Sequence, residues 1–165
     1  MRKSPFSNTY RDYQRDKFYE AQNVTFHLFR DLPEFVSVQV CQDFVDLVTT
    51  SPWFLKNLCP YKSLKIKVHD GRGRQSAEGG WNPITGFYIK APREFRRIGV
   101  LLEEIAHTIR PAKASWHGRE FAATYLKLVR YFMGTEKAKE LKEAYQTYGV
   151  EFRGKDITRA KHGKV

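Results

Sequence analysis

Apolar and polar residues alternate strictly from Leu64 to Val68, with Lys65 and Lys67 set between Leu64, Ile66 and Val68. A period of two predicts a strand with one buried face. A second strand is predicted over Ile84–Ile89, where β-branched and aromatic residues gather before Ala91-Pro92. Between the two, Asp70-Gly71-Arg72-Gly73-Arg74 reads as a tight turn and Glu78-Gly79-Gly80 as a loop.

Elsewhere the period lengthens to that of a helix. Residues 9–22 predict a helix capped by Thr9, with Asp12 in its first turn and Tyr10, Tyr13, Phe18 and Ala21 on its buried side. Val24–Phe29 fits either a short strand or a continuation of that helix, and Pro33 breaks the chain. Ser37 predicts the cap of a second helix, striped by Val40, Phe44, Leu47 and Val48. Trp53-Phe54 predicts a turn or short helix. From Arg93 to Ile109, residues Phe95, Ile98, Leu101, Leu102, Ile105 and Ile109 share one helical arc, and Glu103 and His107 project from its flank. Pro111 ends that helix. Ser115 predicts the cap of the next, over about residues 116–133, striped by Phe121, Tyr125, Leu128 and Phe132 and stopped by Gly134. Lys137–Tyr148 predicts a last amphipathic helix. The expected class is α+β, a single domain over residues 1–151 with a small sheet and flanking helices. A basic tail at 152–165 is expected to be disordered.

Composition narrows this further. A chain of 165 residues with 41% hydrophobic and 15% aromatic content builds a core and is not a disordered segment. No run approaches the roughly 20 apolar residues of a membrane span, and Met1–Phe6 has no hydrophobic signal core. A cytoplasmic protein without a membrane partner is expected. Cys41 and Cys59 have neither redox nor zinc-finger spacing and read as reduced thiols near the core.

The net charge of +11 is concentrated in residues 62–74, 90–97 and 153–165, while the rest of the chain is balanced. Clustered positive charge attracts polyanions. Lys65, Lys67, Arg72, Arg74, Arg93, Arg96 and Arg97 are the candidate contacts to DNA or RNA. Solvation alone is the competing explanation. Asp70–Arg74 fits either a phosphate-binding turn or a plain one.

The chemistry-bearing stretch is Glu103-Glu104-Ile105-Ala106-His107, followed by His117-Gly118-Arg119-Glu120-Phe121. In H-E-x-x-H, two His one helical turn apart grip zinc and the Glu between them serves as general base. Here the first His is Glu103. Side chains at 103 and 107 still share a helix face, and His117 is placed to add a third donor beyond the break. A carboxylate binds zinc as an imidazole does, so Glu103, His107 and His117 would make a His₂Glu set with Glu104 as base. A metal-bound water is expected to be less acidic beside a charged ligand, so binding or chemistry should be weaker. The opposing expectation is a site that has lost its metal. Glu120 is a candidate hydrogen-bond partner for a ligand His, and His69 a substitute ligand. Tyr88 and Arg72 are candidates to stabilise an oxyanion.

Four segments in order resemble a family of small metallohydrolases of actinobacteria and their phages, distantly similar to SprT-like zinc proteases. Arg11–Ala21 resembles the family's R-D-x-Q-R-x-x-V-Y-x-A opening. Asp70–Arg74 matches its D-G-R-G-R turn, Leu101–His107 aligns with L-x-H-E-x-A-H, and His117–Leu126 is similar to H-G-x-E-F-x-x-T-Y-L. The resemblance implies a zincin-like fold, with a small sheet and the metal helix packed across it. It also implies His107 and His117 as zinc ligands and Glu104 as base; it settles no substrate, and a protein or peptide is the expected one. Glu103 departs from the pattern. Loss of the ligand there would leave an inactive scaffold that serves as a nucleic-acid-binding or regulatory module.

Overall fold

A computed structural model describes residues 12–27, 32–111 and 114–152. In chain order these form α1 (Arg15–Phe26), α2 (Val38–Thr50), α3 (Pro52–Asn57), β1 (Ile66–Asp70), β2 (Glu78–Asn82), β3 (Gly86–Ala91), α4 (Ile98–Ile109), α5 (Arg119–Phe132) and α6 (Thr135–Tyr148). The class is α+β. The strand order is β1-β3-β2, with β3 parallel to β1 and antiparallel to β2. β2 is therefore an edge strand.

Register assigns the two faces of the sheet. Val68, Ile89 and Gly79 share one row, and Lys67, Tyr88 and Gly80 the next. The first row faces the core: Val68, Ile89 and Gly79 are buried. The second face carries the exposed Lys65, Lys67 and His69. α4 packs across the core face against β2 and β3 and meets α5 on its other side, while α1 lies on α6. Ten of the twelve α4 residues are buried, as expected of a helix enclosed on all sides.

Several predicted elements shift, each for a local reason. Thr9 and Tyr10 lie outside the described residues. α1 starts at Arg15, leaves Tyr13 exposed and continues through Phe26, which settles the Val24–Phe26 ambiguity in favour of helix. Ser37 caps α2 as predicted, accepting from the Val40 N–H at 3.2 Å. The buried face of that helix is Cys41, Val45, Val48 and Thr49, whereas Val40 and Leu47 are exposed. The cause is polar. Gln42 clamps α2 to β1, donating to the Ile66 carbonyl at 2.9 Å and accepting from the Val68 N–H at 2.8 Å. Hydrophobic period alone carries no trace of that clamp.

The Glu78–Gly80 loop is in fact the start of β2. A Cβ at Gly79 would lie 2.7 Å from the Glu104 carbonyl oxygen, so this glycine is what lets the strand reach α4. Ile84 is 91% exposed in the hairpin turn rather than in a strand. Asn82 Oδ1 accepts from the Ile84 and Thr85 N–H groups, and Gly86 takes a φ of +78°. The helix predicted from Arg93 is a short 3-10 turn, Arg93–Phe95, with α4 starting only at Ile98. Phe35 N–H bonds the Arg96 carbonyl at 2.7 Å and Glu34 bridges to Arg97, which draws this stretch out of helix. Gly118, not Ser115, caps α5. Gly134, with φ of +99°, follows its end as predicted. The tail from residue 153 lies outside the described residues.

Cys41 and Cys59 are buried and unbridged. Burial pushes both thiols above the ordinary cysteine pKa. No helix among the described residues is long and apolar enough to cross a membrane.

Candidate metal centre

Glu103 and His107 stand one turn apart on α4, and His117 enters from the segment before α5. Their donor atoms all lie within 4.8 Å of one another. Glu103 Oε1 is 3.9 Å from His107 Nε2 and 3.9 Å from His117 Nε2. These gaps are too long for hydrogen bonds. Bonds of about 2.0–2.2 Å to one tetrahedral ion would hold two donors roughly 3.4 Å apart, so the donors would have to draw together to share an ion, Glu103 by about half an ångström toward each histidine. The side chains are 7–8% exposed. His107 Nδ1 and His117 Nε2 are buried without a hydrogen-bond partner among the described residues. An orphaned buried nitrogen carries a desolvation cost, which coordination would offset at His117 Nε2; His107 faces Glu103 with Nε2, and its Nδ1 is not the atom turned to that carboxylate. The donor set therefore suits a metal ion.

The histidines are held by their surroundings. Asp12 Oδ2 sits 2.6 Å from His117 Nδ1, and Asp12 Oδ1 accepts from the His117 backbone N–H at 3.2 Å. A carboxylate at Nδ1 requires the proton there, which leaves the lone pair on Nε2 facing Glu103. Burial, ahead of the opposing Asp12 contact, lowers the His117 pKa and favours the neutral ring that a metal needs. Gln14 secures the same residue from behind, its amide donating to the His117 carbonyl at 2.7 Å. His107 stacks on Phe121, with centroids 4.3 Å apart, and has Trp116 at 5.5 Å.

Glu103 is fixed from α1. Gln22 Nε2 donates to Glu103 Oε2 at 2.8 Å, and Tyr19 presents its hydroxyl to the same carboxylate. Residues three apart share a helix face, so α1 brings both donors to one place. Burial, then the charges of Glu103 and Glu104, push the Tyr19 pKa well above the usual phenol range.

Glu104 points elsewhere, toward β2. The Gly79 N–H donates to its carboxylate, and a Cβ at Gly79 would come within 3.0 Å of Oε2. Burial, with the Glu103 charge second, pushes Glu104 up to about 8. It lies beside the donor set without belonging to it.

No protein family, curated protein or solved structure matches the chain. The geometry stands alone.

Among the other candidates, Glu120 accepts from Arg119 at 3.0 Å, and the bond to a ligand histidine is made by Asp12 instead. His69 is exposed on the opposite face of the sheet and is outside the donor cluster. Tyr88 donates to Glu78 Oε1 at 2.7 Å on that same outer face, away from Glu104. Arg72 pairs with Asp70 at 3.4 Å.

The basic residues divide by environment. Lys67 is exposed on β1, and Lys65 is exposed just before it. Arg74 pairs with Glu78, and Arg93 and Arg97 with Glu34. Arg96 is buried, donating to the Ala91 carbonyl at 3.1 Å and pairing with Asp70 at 3.2 Å. Its role is to hold the sheet to the approach of α4, and its guanidinium does not face solvent.

Asp12, Gln14, Tyr19 and Gln22 contact the candidate donors in ways that the periodicity does not reveal. Asp12 reads as a first-turn helix acid, and Gln22 as an ordinary helix-end residue. Their partners lie about 80–105 positions away in sequence. The only sequence signal for Asp12 and Gln14 is the Arg11–Ala21 motif, which gives no role.

Proposed function

We propose that this protein is a zincin-like, zinc-dependent metallohydrolase that acts on protein or peptide substrates. One observation carries the reading: Glu103, His107 and His117 bring donor atoms within 4.8 Å of one another, with His117 Nε2 buried and unpartnered among the described residues, and Glu104 is the next residue along α4. The ordered motifs from Arg11 to Leu126 support it, as does the placement of α4 across the sheet.

In this reading Glu103, His107 and His117 hold zinc, which supplies a Lewis acid and an activated water at neutral pH. Asp12 keeps the His117 proton on Nδ1. Glu104 takes a proton at its carboxylate and returns it to the leaving amine. The Glu103 charge is the second cause of the raised Glu104 pKa, so Glu104 would ionise more readily once Glu103 were neutralised as a ligand. Gly79 keeps that carboxylate oriented with its N–H.

The test is metal analysis of purified protein with a peptide-hydrolysis assay. About one zinc per chain is expected, with chelator-sensitive cleavage. Glu104→Gln should retain zinc and lose about 10²–10⁴-fold in rate. A chain without zinc, or zinc content unchanged by Glu103→Ala and His107→Ala, overturns the reading.

The closed setting of the donors favours a second reading, a non-catalytic module whose ion braces α4 to the 114–118 segment. Lys65 and Lys67, with Lys90 in register beside His69, line the outer sheet face and would contact nucleic-acid phosphates. Those contacts predict single-strand binding whose affinity falls with log salt, at a slope of about −0.7 per phosphate neutralised. Absence of binding at low salt removes this reading.

A further inference from the structure

Glu103 stands where the H-E-x-x-H pattern has histidine, and the packing around it is built for a carboxylate. Gln22 is the decisive neighbour. It is 1% exposed, and its amide nitrogen faces two oxygens: Glu103 Oε2 at 2.8 Å and the Tyr125 hydroxyl at 3.3 Å. The Tyr125 hydroxyl donates its own proton to the Gly99 carbonyl at 3.0 Å, so toward Gln22 it accepts. That bond fixes the amide orientation, because an oxygen in place of Nε2 would meet two acceptors. Gln22 therefore presents N–H groups, and only N–H groups, to position 103.

A histidine ligating through one ring nitrogen carries its proton on the other and needs an acceptor behind it. Gln22 offers none. A carboxylate has the opposite requirement: one oxygen turned to the ion and the other free to accept. Glu103 meets it, with Oε2 bound to Gln22 and Oε1 equidistant from the two histidines.

We infer that Gln22 is a positioning residue that selects a carboxylate ligand at position 103, holding Glu103 with Oε1 toward the ion. Glu103 is thus a matched part of the site and not the scar of a lost histidine. The inference rests on the reading of Glu103, His107 and His117 as metal donors.

The experiment is a swap across two backgrounds, read as zinc affinity by competition with a chromogenic chelator and as the visible spectrum of the Co(II)-loaded protein. In the Glu103 background, Gln22→Met and Gln22→Glu should each weaken zinc about 10–100-fold, the range for loss of a residue that orients a ligand. The Co(II) bands should shift while far-UV circular dichroism stays unchanged. In the Glu103→His background the sign should invert, with Gln22→Glu tightening zinc at least about tenfold because it restores an acceptor behind the imidazole. A purely structural Gln22 would not reverse sign. Equal affinity for wild type and Gln22→Met, or weakening by Gln22→Glu in both backgrounds, overturns the inference and leaves the metal site intact. If Gln22→Met does not fold, the two Gln22→Glu measurements decide. Wild-type protein that binds neither zinc nor cobalt overturns the metal reading itself, and this inference with it.

Discussion

The Asp12 carboxylate makes the most consequential single contact in the molecule, because it decides which nitrogen of His117 is bare. Asp12→Asn should keep a hydrogen bond yet permit the wrong tautomer, weakening zinc about 10–100-fold with little change in folding. Competition titration would measure it, and unchanged affinity would remove Asp12 from the site. At the same scale, Cys41 and Cys59 are buried with raised pKa values. Native protein should resist thiol alkylation at pH 7.5, and denaturant should expose both groups. Rapid labelling of the folded chain would contradict their placement. Glu103 and His107 are legible in sequence because i, i+4 spacing on a helix is a local rule, whereas His117 is placed beside them by the chain break at Pro111 and by the motif order. Asp12, Gln14 and Gln22 are not legible, because they act on residues brought near only by the complete fold.

Among the elements, α4 and β2 form the pair on which the site depends. β2 approaches α4 so closely at Gly79 that a side chain there would meet the Glu104 backbone. Gly79→Ala places a methyl 2.7 Å from the Glu104 carbonyl oxygen. It should destabilise by about 1–3 kcal/mol and displace Glu104, seen as a lower melting temperature and a loss of hydrolysis greater than the loss of zinc. An unchanged melting temperature would mean that the strand yields freely. Gly79 shows why β2 was illegible: Glu78-Gly79-Gly80 has poor strand propensity, and closeness to α4 overrides propensity. β1 was legible because the Leu64–Val68 alternation records which face meets the core, although the strand itself runs two residues later, over Ile66–Asp70. The stripe of α2 misleads for the converse reason, since a polar clamp from Gln42 sets its rotation.

For the whole molecule, the buried ionisable groups make stability depend on pH and on metal. Glu104 has a folded pKa of about 8 against an ordinary value of 4.5. The folded state thus holds that proton more tightly, so its contribution to stability is full below about 4.5 and is lost as pH rises through about 8. His117 acts in the opposite sense around its ordinary value of 6.5, where its lowered pKa makes stability fall on acidification. Above pH 7 the Glu104 effect stands apart. Chelator-treated protein should lose stability from pH 7 to 9, and Glu104→Gln should flatten that slope. Chemical denaturation across the range checks this, and a rising slope would refute it. Zinc at 100 times its dissociation constant should add about 2.7 kcal/mol of stability.

The hold of Gln14 on two distant segments has a kinetic consequence. Its side chain bonds both the His117 carbonyl and the backbone of Glu151. A ribosome releases Asp12 and Gln14 early and residue 151 late, at about 5–20 residues per second. During synthesis, His117 therefore emerges before the Gln14–Glu151 contacts behind it are complete. On the proposed metal reading, tight capture of an ion would come late in synthesis, once residue 151 has joined the fold.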